Sequence, residues 1–273
     1  MWEKKLKNDT NPNHQQLEEN KMNDKILSFW NQRAKTKSLP GSNDKILYEY
    51  EKSYLASLLK KNKIILDVGC GDGHLLNFLH QKKIAKKSIG VDFSFDMIKK
   101  AKMRGLKNTK FYCLDMKKIN NLKKITKLKF DYIITLRSII NVKNTNKQKK
   151  IVESFAQFLK SNGKILCCEP SKLANEKINL KRKKFGLKEI CAPWHNLFID
   201  DKSFIKQKKI KIVKIHNFTG TYYFMSRIIN AVVNKVGKTE PKNNDKINKI
   251  AMTLDQSVFS EYSREKIYEF KIK

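Results

Sequence analysis

Apolar and polar positions alternate differently in successive stretches of this chain. Residues 1 to 22 are polar without any period and read as a flexible tail. Two segments with apolar residues at helical intervals follow, "DKILSFWNQRA" and "KILYEYEKSYLASLL". A break at Pro40-Gly41 separates them, and Ser42 to Asp44 supplies a helix start, so residues 23 to 62 predict a helical cap. From Lys63 onward short apolar runs alternate with helical periods. "KIILDVG", "KSIGVDFS", "TKFYCLDM", "FDYIITLRS" and "GKILCCEP" predict five strands. "HLLNFLHQ", "FDMIKKAKMRG" and "NKQKKIVESFAQFLKSNG" predict helices between them, the last capped by Gly163. Such alternation implies an α/β fold with a parallel, doubly wound sheet covered on both faces.

Past Pro170 this rhythm stops. Residues 171 to 204 predict an insertion with one helix and the irregular segment "CAPWHNLFIDD". "IKIVKIHNFTG" predicts a strand, "YYFMSRIINAVVNKV" an amphipathic helix, and "KIYEFKIK" a closing strand. The one-sided stripe Phe224, Met225, Ile228, Ile229, Val232, Val233 and Val236 predicts burial against the sheet. Its flanking lysines leave docking on a membrane surface as the other reading.

Composition narrows this picture. With 273 residues and 40% hydrophobic content, the chain suits one large domain or a domain with an elaborated lid. The formal net charge of +33 draws polyanions: nucleic acid, an acidic membrane face, phosphorylated substrates. The basic residues are overwhelmingly lysine and spread along the whole chain, in company with abundant Asn and Ile. That pattern favours an AT-rich coding background over a dedicated nucleic-acid reader, which would prefer the arginine fork. Cys70, Cys113, Cys167, Cys168 and Cys191 form no C-x-x-C and are odd in number, which argues against a disulfide framework or a zinc site and fits a reducing compartment; no metal is expected. The N-terminus lacks a signal-peptide core, and no apolar run approaches the roughly 20 residues of a membrane span. The expectation is a cytoplasmic protein.

The chemistry concentrates in "IILDVGCGDGHLL", where an apolar run stops at Asp67 and passes through Gly69, Gly71 and Gly73. A P-loop would end in Gly-Lys-Ser/Thr, and the dinucleotide fingerprint needs a third glycine where His74 stands. In its strand-loop-helix setting, "LDVGCGDG" resembles the first motif of the class I S-adenosylmethionine (SAM) dependent methyltransferases. The resemblance implies a Rossmann-like, seven-stranded, mostly parallel sheet with an N-terminal helical cap and an acceptor lid over 171 to 204. SAM carries an amino-acid end, whose ammonium Asp67 can accept from. Gly69, Cys70, Gly71 and Gly73 would offer bare backbone to the homocysteine part. Asp92 ends the second predicted strand about 20 residues beyond the loop, a spacing that brings an acid to a ribose diol, with Phe93 against the adenine. The family places Asp115 at the adenine amino group and Met116 against the ring. Alone, each acid reads as a helix cap or a solvated turn. Three at the carboxyl ends of consecutive strands share the edge where open α/β sheets bind ligands. The resemblance also puts Thr135 and Leu136 near the sulfonium and turns Arg137 toward the acceptor, unless Arg137 simply pairs with a nearby acid.

The acceptor is addressed by the remainder. "TLRS" after the fourth strand lacks the Pro-Pro motif of amino-methylating nucleic-acid enzymes, and no cysteine follows a proline as cytosine-5 enzymes require. From Glu169 onward, Asn179 with Arg182, the run Pro193-Trp194-His195-Asn196, Tyr222-Tyr223, Ser226-Arg227 and Glu240-Pro241 resemble bacterial methyltransferases of polysaccharide and lipopolysaccharide gene clusters. "FWNQRA" and "PGSND" fit as well. This implies O-methylation of a small molecule or a glycan or nucleotide-sugar intermediate, which can be anionic. A sugar hydroxyl needs a base, and His195 is the candidate, since imidazole titrates near working pH. Its other reading is packing and loop closure beside Trp194. Asn179, Arg182, Asn196, Tyr222 and Tyr223 are expected to line the acceptor pocket. His74 and His80 read as structural, and His14 falls in the tail. Two alternatives stay open: an RNA methyltransferase gripping phosphates, and a non-catalytic SAM- or polyanion-binding protein.

Overall fold

The computed structural model describes residues 12–36 and 41–273. Seven strands form one sheet: β1 (Lys63–Val68), β2 (Ala85–Asp92), β3 (Thr109–Cys113), β4 (Phe130–Leu136), β5 (Leu159–Pro170), β6 (Ile210–Asn217) and β7 (Glu265–Ile272). Their order is β3-β2-β1-β4-β5-β7-β6. All neighbours are parallel except β7, which runs antiparallel to both β5 and β6. The chain starts at β1 in mid-sheet, winds outward to β3, then returns across β1 to β4. The switch point between β1 and β4 opens a crevice at the carboxyl ends of the strands, where such sheets bind ligands.

Helices cover both faces. On one side, α2 (Lys45–Ser57), α3 (His74–Gln81) and α4 (Phe95–Met103) pack Leu55, Leu75, Leu79, Ile98 and Ala101 against Ile65 and Ile134. On the other, the short α5 (Leu122–Ile125), α6 (Thr145–Ser154) and a turn of 3-10 helix after it bury Leu122, Val152, Phe155 and Phe158 against Leu66, Val68 and Ile133. Ile65 and Leu66 thus enter opposite cores, as the two-residue side-chain period of a strand requires. Asp44 caps α2, accepting from the Leu47 N–H at 3.1 Å. A third core joins Leu47 to Ile178 on α7 (Lys172–Lys184) and to the C-terminal helical region. Between β5 and β6 the chain also forms α8 (Asp201–Phe204). Beyond β6, α9 (Gly220–Phe224), a π-helical turn (Met225–Ile229) and α10 (Asn230–Val236) make one continuous helical run, followed by α11 (Lys246–Thr253).

Three expectations need correction. Helix α1 spans Pro12–Lys35, so residues 12 to 22, expected as tail, form its first half; residues 1 to 11 and Pro40 lie outside the described residues. Glu19 forms an ion pair with Lys147 on α6, which anchors that half to the domain. Gly163 is not a helix cap. Helix α6 ends at Ser154, and Gly163 lies within β5, where the β4–β5 register slips between Phe130 and Tyr132. A Cβ on Gly163 would meet the Phe130 carbonyl at 2.8 Å, so the close strand approach explains this glycine. The apolar stripe of the C-terminal helix is divided. Ile228 is buried among helices rather than against the sheet, while Val233 is 58% and Val236 80% exposed. The π turn adds a residue to the helical repeat and rotates the stripe off its packing face. Among the described residues no helix is long and apolar enough to cross a membrane.

Candidate active site

The glycine loop leaves β1 at Val68 and enters α3 at His74. Gly69 and Gly73 have φ of +78° and +76°, the left-handed region that only glycine adopts without cost. Both are also crowded: a Cβ on Gly69 would lie 2.2 Å from Ser138 Cβ, and one on Gly73 2.8 Å from Phe111. Gly73 therefore shapes the loop from behind rather than lining the cavity, which its predicted role as a cofactor contact did not anticipate. Backbone bonds from Gly69 and Cys70 N–H to the Val91 carbonyl, at 2.7 and 3.0 Å, tie the loop to β2.

A cavity opens beside this loop. Its wall includes Asp67, Gly69, Cys70, Gly71, Asp92 and Phe93, and continues through Met116, Leu136, Arg137 and Ser138. Nine of the sequence-predicted residues thus converge there; Thr135 is buried beside it. Asp67 is 1% exposed, and its Oδ2 has no hydrogen-bond partner. Burial, reinforced by the nearby Asp92 charge, pushes its carboxyl up to about 8. A buried carboxylate without a partner calls for a cationic donor. Asp92 is better satisfied, accepting from the Gly71 and Ser94 N–H groups at 2.9 Å each. Burial still raises it to about 6 against those bonds. It keeps lone pairs toward the cavity for further donors.

Asp115 sits one step away. Its carboxylate accepts from Lys117 N–H at 2.8 Å, capping a turn of 3-10 helix, and lines an adjoining recess with Asn23, Ile26, Leu27, Phe93 and Met116. Helix α1 forms one wall of that recess, a contribution sequence reasoning missed because nothing local marks where a helix docks. Trp30 of the same helix donates to Asn141 Oδ1 at 3.0 Å and lines the main cavity, as does Tyr48 of α2.

On the far side lies a second cavity, sharing Trp30, Gly41 and Arg137 with the first. Its wall contains His195 and Asn196. The chain from 193 to 199 crosses the strand ends, held by Leu197 N–H to the Ile140 carbonyl at 2.7 Å and by Lys143 Nζ to the Trp194 and Asn196 carbonyls at 2.7 and 2.9 Å. His195 stacks on Phe29 at 4.4 Å, and its buried Nδ1 has no partner; Asn196 Oδ1 is likewise unpartnered. Burial, with Lys143 and Arg33 adding to it, lowers the imidazole below its ordinary range. Arg137 has φ of +53°, a strained conformation for a side-chain-bearing residue, and binds Glu51 through Nη2 at 2.5 Å. Glu169 holds this turn, accepting from the Ser138 and Ile139 N–H groups.

Four predicted acceptor residues are not in this wall. Asn179 exchanges hydrogen bonds with the Ile190 backbone, and Arg182 donates to the Lys188 and Arg227 carbonyls. Both brace α7 against its return loop. Tyr222 and Tyr223 are fully buried one layer behind the cavity, with the Tyr222 hydroxyl donating to Asp44. Their place in the wall is taken by Arg227 and Arg264, which stack on them. The family resemblance marked these positions in the sequence; which layer each occupies depends on helix packing.

The strand order, the parallel sheet with one reversed strand and the acid-flanked glycine loop together define the class I SAM-dependent methyltransferases. The family model for a methyltransferase domain matches residues 59–220, more than half of the chain, which belongs to that family. Solved structures share the fold. The protein bound to the Haloferax volcanii Trm112 methyltransferase activator aligns at TM-score 0.52 and 12% identity over 89% of this chain and 96% of that one. The N-methyltransferase NodS from Bradyrhizobium japonicum, solved with S-adenosyl-L-homocysteine (SAH), gives 0.51 at 12% identity over 70% and 88%. The plantazolicin methyltransferase BamL, solved with SAH and a triazolic acceptor analogue, gives 0.50 at 15% over 92% and 90%. Comparison with curated proteins found no match.

The residues present fit the cofactor. The unpartnered Asp67 oxygen suits an ammonium, the loop presents backbone without side chains, and Asp92 at the end of β2 has capacity for hydroxyl donors. The chain is a SAM-dependent methyltransferase, with SAM as its cofactor.

Proposed function

We propose that the enzyme methylates a hydroxyl of a small molecule or glycan intermediate, of the kind found in surface-polysaccharide synthesis. One observation carries this reading: a second cavity adjoins the cofactor cavity at Trp30, Gly41 and Arg137, and His195 lines it with an unpartnered Nδ1. Bound SAM supplies a methyl carbon made electrophilic by its sulfonium. The chain's own residues do the rest. Asp67 binds the ammonium, Asp92 the ribose hydroxyls, and Phe93 and Met116 flank the adenine, with Asp115 at the amino group. Trp30 and residues 193 to 198 exclude water and act as the lid. His195, kept neutral by burial, takes the proton from the acceptor hydroxyl on its imidazole as the oxygen attacks. A wall made from α1 and this segment suits a small acceptor better than an RNA strand.

The test is transfer of radiolabelled methyl from SAM into nucleotide-sugar and RNA pools. Label in the small-molecule pool supports the reading. Label confined to RNA refutes it, and no label in either pool refutes both acceptor classes. For His195→Ala, SAH affinity by calorimetry should persist while turnover drops at least about 100-fold. Unchanged turnover would place the base elsewhere.

A further inference from the structure

Arginine is scarce in this chain. Only six of its 59 basic residues are arginine. Four of those six, Arg33, Arg137, Arg227 and Arg264, line the second cavity, and among its described lining residues none is lysine. A lysine-rich coding background would place lysine wherever a bare positive charge suffices. Arginine kept in one cavity therefore marks a need for the planar fork. We infer that this cavity binds an acceptor through an oxyanion, a phosphate or carboxylate, held by the guanidinium groups of Arg264 and its neighbours. The inference rests on the methyltransferase reading of the site.

The ion pairs of the wall leave room for such a group. Arg227 Nη2 binds Asp44 at 2.6 Å, and Arg137 binds Glu51 at 2.5 Å. Glu265 is shared loosely, 3.4 Å from Arg264 and 3.9 Å from Arg137. The guanidinium groups of Arg137, Arg227 and Arg264 thus meet Asp44, Glu51 and Glu265 in a partly buried site, with Glu265 held only at long range by its two arginines. Burial also pushes Glu51 up to about 8, with Arg137 opposing, so its negative charge is not secure near neutral pH. Arg264 is the best placed to take a ligand. Its Nε is buried without a partner, and its guanidinium lies over the Tyr223 ring at 4.7 Å and the Phe198 ring at 5.5 Å. Stacking fixes the guanidinium plane, the geometry that a bidentate oxyanion needs.

The probes are inorganic pyrophosphate and malonate, titrated by calorimetry into the full chain saturated with SAH. At least one should bind, and Arg264→Gln should weaken it tenfold or more. Arg264→Lys, which keeps the charge and loses the fork, should weaken it severalfold. Arg33→Gln, on partly exposed α1, is the second variant should Arg264→Gln fail to fold, with a loss of at least threefold. Lys211→Gln/Lys214→Gln, on exposed β6 positions, should change nothing; a loss there equal to the Arg264→Gln loss would reduce the effect to net charge and overturn the inference. Pyrophosphate binding tighter than malonate assigns a phosphate-bearing acceptor, and the reverse order a carboxylate. If neither probe binds the SAH complex, or Arg264→Gln binds as the wild type does, the inference is wrong. Failure of SAH itself to bind would instead strike the methyltransferase reading.

Discussion

Asp67 offers a quantitative test of the cofactor pocket. Its carboxyl titrates at about 8 in the free protein, because it is buried and Asp92 is near. The ammonium of the ligand needs the ionised form, so binding must release a proton from Asp67 below that pH. For one such group the apparent dissociation constant scales as one plus ten to the power of pKa minus pH. Affinity should therefore rise about 20-fold between pH 6 and pH 7.5, or about 1.8 kcal/mol at 1.36 kcal/mol per tenfold change. Above about pH 8 the ligand's own α-amino group starts to lose its proton, so the comparison stops short of that. Calorimetry with SAH across this range, in two buffers of different ionisation enthalpy, measures both the slope and the proton released. Asp67→Asn should bind weakly and with a much flatter slope, the residue arising from Asp92 near pH 6. A wild-type affinity flat from pH 6 to 7.5, or a slope that survives in Asp67→Asn, would refute the assignment.

Other expectations can be checked together. In the free protein the raised Asp67 carboxyl means the folded state binds more protons than the unfolded, so this group's contribution to stability falls as pH rises from about 4 through 8; Asp67→Asn should melt several degrees above the wild type at pH 8.5 without ligand, and equal melting would count against it. Asp92→Ala removes the proposed ribose acceptor and two loop bonds, and should cost at least tenfold in SAH affinity by calorimetry. Tyr222→Phe takes a donor from buried Asp44 and should destabilise by about 1.5–3 kcal/mol in denaturant unfolding while SAH affinity holds, because Tyr222 is outside both cavities. Gly73→Ala forces a Cβ against Phe111 at positive φ, and should destabilise by about 1–3 kcal/mol in the same assay.

Much of the sheet was legible because its signals are local. Apolar runs of strand length, a cap at Asp44 and glycines that punctuate β1 and α3 each depend on residues within a few positions. Asp67, Asp92 and the glycine loop were readable for the same reason, since winding at the switch point follows from strand–helix alternation. Gly163 misled, because a glycine that ends a helix and one that admits a neighbouring strand look alike in sequence. Tyr222 and Arg227 show the same limit. Both are polar-tipped residues on one helical run, yet Tyr222 is buried behind the wall and Arg227 is in it.

By itself the sequence determined the strand order's raw material, the cofactor loop and the acids beside it, since each is written in contiguous residues whose backbone geometry is dictated by their own side chains or lack of them. Only tertiary structure decided that α1 walls the recess beside Asp115, that His195 meets Phe29, and that four scattered arginines share one cavity. Those arrangements join residues far apart in the chain, and the burial that selects among them is a property of packed layers rather than of any segment.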